Sequence, residues 1–268
     1  MRTFTLLAPL VSLALVAAPA TTEMVLTSTD GFTLKGTLTL PAAKGKVPVV
    51  ILAHQFRTDR AGWAPLAERL AARGIGTLAL DLRGHGASTL KGGAQVTVSD
   101  DFMASAKAVG FDSIPADLVQ AATWLRGQPG VDGKRIGLAG SSVGAFAALL
   151  AAPQVKPVAI FSLSPAGTGA FGEGAREKLR GAVLGAKAST LVLAAIDDKD
   201  AYQNALALAN QPGVALSLWE GKEHGFAFFK DHAELTAVFF GEYLTYHRTG
   251  QKYVQPATEP AKPSAASK

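Results

Sequence analysis

Gly140-Ser141-Ser142-Val143-Gly144 sets a hydroxyl between two glycines, each two residues away from it. The preceding Ile136-Gly137-Leu138-Ala139 reads as the end of a buried strand, and the chain from Ala145 onward is helix-forming. A serine lifted on so sharp a strand-to-helix turn sits in strained backbone, and a Cβ two positions before or after it would crowd the turn. The helix that begins there points its first amides at the hydroxyl and favours negative charge developing beside it. Residues of these types in this order suit a nucleophile. A serine hydroxyl is weak at neutral pH, so the chemistry also demands a general base and a carboxylate to orient that base.

Other runs point the same way: His54-Gln55-Phe56, Trp63-Ala64-Pro65-Leu66-Ala67, Asp81-Leu82-Arg83-Gly84-His85-Gly86-Ala87-Ser88, Ser162-Leu163-Ser164-Pro165 and Gly221-x-x-His224-Gly225. With the Gly-x-Ser-x-Gly turn, they make the chain resemble an α/β-hydrolase of the dienelactone-hydrolase-like or serine esterase type, over about residues 24–247. The resemblance implies a triad in the chain order serine, acid, histidine. The histidines after Ser142 are His224, His232 and His247. His224 follows a strand end and precedes a glycine, whereas His232 and His247 fall in or beside the last helix, where surface positions are expected. His224 is therefore the expected base. The acid is expected after the strand at residues 190–195, where Asp197, Asp198 and Asp200 all occur. Asp198 is chosen, with Asp197 and Asp200 as alternatives, and one of the three is expected to cap the following helix.

The resemblance also implies two oxyanion donors: the backbone N–H of Val143, after the nucleophile, and that of Phe56, in the loop after the strand Val47–Ala53. Many relatives carry His-Gly where this chain has His54-Gln55. Dienelactone hydrolases use cysteine as nucleophile, so Ser142 implies a serine-type esterase acting on a small-molecule ester, without metal or cofactor; a peptidase or thioesterase with the same triad, or a non-catalytic binding protein on the hydrolase scaffold, is the alternative. His85, structural in relatives, is not assigned to catalysis. Phe56, Phe102, Phe111, Phe171 and Phe226 are core residues by type and candidates for an acyl pocket.

Several elements must position these residues. Residues 24–28 and 32–40 are β-patterned runs on either side of Thr29-Asp30-Gly31, a hairpin signal. Val47–Ala53 is apolar apart from Pro48, as in strands buried on both faces. Helices are expected at residues 65–73, 115–126, 174–184, 201–210 and 232–246, and further strands at 76–80, 158–163, 190–195 and 215–219. Antiparallel starter strands followed by repeated βα units predict an α/β fold, a mostly parallel sheet with helices on both faces. The largest irregular region, residues 90–114, is too short for a cap domain.

The chain has 268 residues, 48% hydrophobic and 18% charged, and reads as globular. Its +5 charge and pI near 9.4 come from scattered Lys and Arg, which do not suggest a nucleic-acid partner. Residues 1–20 read as a signal peptide: Arg2, an apolar run over residues 4–17, then Ala18-Pro19-Ala20. The run is too short for stable membrane insertion, and export to the periplasm or medium is expected. Cleavage after Ala20 would remove Arg2 and take +5 to +4. The absence of cysteine excludes disulfides and thiolate chemistry. Residues 21–250 are expected to form the hydrolase domain, and residues 251–268, ending in a Pro/Ala/Ser/Lys-rich stretch, a disordered tail.

Overall fold

The computed structural model describes residues 19–246. The leader expected at residues 1–20, apart from its last two residues, the tail expected at 251–268, and His247 lie outside that range.

The strands are β1 Ala20–Thr27, β2 Phe32–Leu40, β3 Val47–Ala53, β4 Gly76–Asp81, β5 Leu90–Lys91, β6 Ala94–Gln95, β7 Val131–Ser141, β8 Ala159–Leu163, β9 Ser189–Ala195 and β10 Val214–Trp219. They form one ten-stranded sheet in the order β10-β9-β8-β7-β3-β4-β2-β5-β6, with β1 on β2. The run from β4 through β3, β7, β8 and β9 to β10 is parallel, while β1, β2, β5 and β6 pair antiparallel. The chain therefore moves outward from β3 to β4, then returns to β3's other side with β7. Such a switch point opens a crevice at the carboxyl ends of the strands. Here those ends carry His54 and Ser142.

Every residue of β3 is buried, and alternate side chains enter opposite layers. Val49, Ile51 and Ala53 join one core with Leu118, Phe146 and Leu179; Val50 and Leu52 join another with Leu66, Phe229 and Phe240. Pro48 has no N–H to give the ladder, and the β3–β7 register shifts between Val47 and Val49, around that residue.

The helices are α1 Ala64–Ala71, α2 Phe102–Val109, α3 Ile114–Arg126, α4 Val143–Val155, α5 Ala175–Ala186, α6 Lys199–Ala207, α7 Phe226–Phe229 and α8 Ala233–Gly241, the last followed by a π-helical turn, Glu242–Tyr246. Helices α1, α7 and α8 cover the Val50 face; α3, α4, α5 and α6 cover the other. Helix α4 is buried nearly all round, and its run of alanines lets it fit between α3 and α5. Among the described residues no helix is long and apolar enough to cross a membrane.

The structure differs from expectation in three places. Residues 90–114 are not irregular: they hold β5, β6, α2 and a 3-10 turn at Phe111–Ser113. Helix α2 is fixed by its ends, since the Asp101 carboxylate accepts the Ala104 N–H at 2.8 Å and Gly110 closes it at φ 76°. His232 is buried rather than on the surface, with the Trp219 and Phe228 rings each 4.5 Å away, and burial pushes its pKa down. The short helix α7 directly after His224 has no periodic signal in the sequence.

Candidate active site

Ser142 stands between β7 and α4 with φ 55° and ψ −121°, a sparsely populated conformation for a residue with a side chain. Its neighbours impose it. Ser142 N–H donates to Leu163 O on β8 at 2.9 Å, and Ser142 O accepts from Phe146 N at 3.0 Å in the first turn of α4. A Cβ on Gly140 would lie 2.5 Å from Ala145 Cα, and one on Gly144 would lie 2.5 Å from Ala53 O. The second glycine therefore lets the elbow approach the end of β3.

The carboxyl ends of β7, β8, β9 and β10 lie level, with Ser141 opposite Leu163, Leu163 opposite Leu193 and Ala195 opposite Trp219. Loops leaving these ends bring the three expected residues together. His224 Nε2 lies 2.7 Å from Ser142 Oγ, and His224 Nδ1 lies 2.6 Å from Asp198 Oδ2. The carboxylate can only accept, so Nδ1 carries the proton, and Nε2 faces the hydroxyl. The side chains of Asp198 and His224 are 14% and 37% exposed, while Ser142 is buried.

The other two acids part company with Asp198. Asp197 is exposed. Asp200, in the first turn of α6, accepts from Gly167 N at 2.8 Å, from Thr168 N and Oγ1, and from Arg176 Nη2 at 3.1 Å. Burial opposes its ionisation, but these hydrogen bonds hold its pKa below the usual carboxylate range. Asp198 holds the N-cap position of α6, as expected of one of the three, but its side chain turns to His224 and makes no capping bond.

The Val143 N–H is the first of α4 and has no acceptor within the helix. The Phe56 N–H is aimed through its peptide. Gln55 O is held by His54 Nδ1 at 2.7 Å and Thr58 Oγ1 at 2.9 Å. The described residues contain no cis peptide, so the Phe56 N–H points away from that pair. His54 is fully buried, and its Nε2 accepts Leu82 N–H at 2.9 Å, which places the proton on Nδ1. Burial, and then the nearby His85 ring, push its pKa down to about 3, so His54 is a neutral, fixed donor.

The Asp81-to-Ser88 run is scaffold. Asp81 accepts the Arg60 and Ala87 N–H groups, and Ser88 Oγ donates to Asp81 O at 2.7 Å. Arg83, with no exposed side-chain surface, makes a two-bond fork to Asp117, both bonds 2.7 Å, and reaches Asp30 in the β1–β2 turn. It also donates to Val109 O and Gly110 O, anchoring the end of α2. His85 is buried against Phe56 and Phe111, its Nδ1 on Arg83 O, away from Ser142's hydrogen bonds.

A pocket of about 480 Å³ opens at Ser142 and His224. Phe56, Phe102 and Met103 line it together with Gly167, Thr168 and Gly169. A Cβ on Gly167 would fall 2.8 Å from the Phe102 ring, so these two groups of lining residues pack closely together. Of the five phenylalanines considered above, Phe56 and Phe102 line the pocket; Phe111 and Phe171 are buried in the core and Phe226 packs edge-on to Trp63. Met103 and Thr168 line it without having been expected to, as does Asp200, which was considered above only as an alternative acid. The cap residues of α2, Asp101 and Gly110, were the legible sign that a helix carries Phe102 and Met103 here.

Over residues 30–214 the chain matches the X-Pro dipeptidyl-peptidase (S15) family. The chain belongs to this family. This S15-family hydrolase has the α/β-hydrolase fold, as its similarity to solved structures also shows. An acetyl xylan esterase from Thermoanaerobacterium sp. JW/SL YS485 is 19% identical, with a TM-score of 0.65 over 87% of this chain and 86% of that one. A dienelactone hydrolase from Anabaena variabilis is 22% identical, with a TM-score of 0.62 over 85% of this chain and 100% of that one. An esterase from Pyrococcus furiosus is 22% identical, with a TM-score of 0.61 over 84% and 90%. Two uncharacterized proteins of Mycobacterium tuberculosis are 31% identical over 147 residues, 55% of this chain, and the match spans about half their length (46%).

Proposed function

We propose that this chain is a serine esterase that cleaves uncharged carboxylic esters through an acyl-enzyme. The observation that carries the reading is the unbroken hydrogen-bonded line Ser142–His224–Asp198 at 2.7 and 2.6 Å. His224 Nε2 takes the Ser142 proton as Oγ attacks the ester carbonyl, and Asp198 orients the ring and stabilises its charged form. The carbonyl π electrons move onto oxygen, where the Val143 and Phe56 amides hold them. Collapse expels the alkoxide, which takes the proton from His224. Water, deprotonated by His224, then releases the acid and restores Ser142. The serine chemistry is complete without metal or cofactor.

The pocket supports the substrate class. Among the described residues no Lys or Arg lines it, which disfavours carboxylate-bearing esters. Family membership favours a second reading, cleavage after an X-Pro dipeptide. That activity needs a carboxylate free to bind the substrate's terminal ammonium. Asp200, the one acid among the described residues that line the pocket, already has both oxygens occupied by Gly167, Thr168 and Arg176. The ester reading is preferred. Turnover of p-nitrophenyl acetate and butyrate, beside an X-Pro-p-nitroanilide, separates the two, with Ser142→Ala as control. Equal ester hydrolysis by the variant refutes the assignment; turnover of the anilide alone favours the peptidase.

The proposed reaction is placed outside the cytoplasm, resting on Arg2, the apolar run and Ala18-Pro19-Ala20. Mass analysis of the N-terminus from the exported fraction tests it, with Thr21 expected as first residue.

A further inference from the structure

Gln55, in the loop after β3, has a side chain whose two ends are not equivalent. Its Oε1 lies 2.7 Å from Phe226 N and 2.9 Å from Ser141 Oγ. A backbone N–H can only donate, so the atom facing Phe226 is the oxygen, and this fixes which way round the amide sits. Gly225 makes the contact possible: a Cβ there would collide with Gln55 Oε1. The amide oxygen thus ties the loop after β3 to the loop carrying His224 and to the residue before Ser142. The Nε2 group is left over. Among the described residues no acceptor meets it, and it is not sealed in the interior without a partner. Gln55 lines the same pocket as Ser142, Phe56 and His224.

We infer that the Gln55 side-chain amide is a third donor to the ester's carbonyl oxygen, beside the backbone amides of Val143 and Phe56. The inference rests on the ester reading above. A donor held rigid by two bonds to its own oxygen suits the task, because no side-chain freedom is lost as charge develops on the substrate. The carbonyl oxygen is the acceptor that appears where Ser142 and Phe56 converge, and its hydrogen bonds strengthen as the tetrahedral intermediate forms.

The test compares the parent with Gln55→Met and Gln55→Glu by kcat and KM on p-nitrophenyl acetate and a matched thioester, with melting temperatures alongside. Met removes both donor and acceptor. Glu keeps the acceptor for Ser141 and Phe226, and donates only when protonated. Both variants are expected to lose about 10- to 100-fold in kcat with KM within about threefold, equally on ester and thioester. The Gln55→Glu deficit relative to the parent should shrink as pH falls and its carboxyl regains an O–H, which a purely structural tie would not produce. Three results overturn the inference: Gln55→Glu within threefold of the parent from pH 5 to 9, a deficit independent of pH, or a loss confined to the oxygen ester. A parent that cleaves neither substrate would refute the esterase reading instead.

Discussion

Replacing His54 by Asn separates what this buried ring does for stability from what it does for the site. Asn keeps a donor toward Gln55 O and loses the acceptor for Leu82 N–H, which costs about 1–3 kcal/mol at any pH. The pH dependence is the sharper signature. The folded pKa of His54 is about 3, against about 6.5 in the unfolded chain. The unfolded state therefore takes up the proton first, and stability present above pH 6.5 is lost as pH falls toward 3. At pH 5 this linkage amounts to about 2 kcal/mol for the single group, and at pH 8 it is near zero. His85 and His232, also lowered by burial, contribute equally to parent and variant and drop out of the difference. Urea unfolding of both proteins at pH 8, 7, 6 and 5 measures it. The variant should start lower and fall less steeply, so the two curves converge by about 2 kcal/mol at pH 5. Parallel curves would show that His54 does not stay neutral in the folded state.

Gly144→Ala puts a Cβ 2.5 Å from Ala53 O, against backbone that cannot step aside cheaply, so the β3 loop must separate from the elbow. Turnover should fall about a hundredfold, as when one oxyanion donor is lost, while a fluorophosphonate still labels Ser142. Asp198→Asn should cut kcat by about 10⁴, whereas Asp197→Asn, at an exposed position, should stay within about threefold; equal losses would misplace the acid. Asp117→Ala leaves the fully buried Arg83 without its two-bond partner and should lower unfolding free energy by about 3–5 kcal/mol in denaturant melts.

The parallel strands were legible because continuous apolar runs such as Val47–Ala53 have one comfortable place, between two helical layers. The Gly-x-Ser-x-Gly turn was legible because its glycines answer a steric demand that the structure bears out at Gly140 and Gly144. Choosing Asp198 among three acids was beyond local pattern. All three follow one strand, and only the direction of the side chain relative to His224 distinguishes them. His232 was misplaced because its burial comes from Trp219 on β10 and Phe228 on α7, contacts that no periodicity within its own helix encodes. Helix α2 was passed over because eight residues of Ala, Ser, Lys and a few apolar side chains carry a weak stripe, even with good caps at both ends.

The nearly complete burial of α4 has a consequence for how activity should be lost. Amides of this helix can exchange with solvent only through openings that disrupt the larger core, so Ser142 is tied to the most protected part of the molecule. His224 hangs from a loop beyond β10, an edge strand with half-exposed side chains. Local opening of that edge breaks the Ser142–His224 bond while the centre of the sheet stays closed. The Ser142–His224–Asp198 line thus spans two levels of protection, and mild denaturant is expected to reach His224 well before it reaches Ser142.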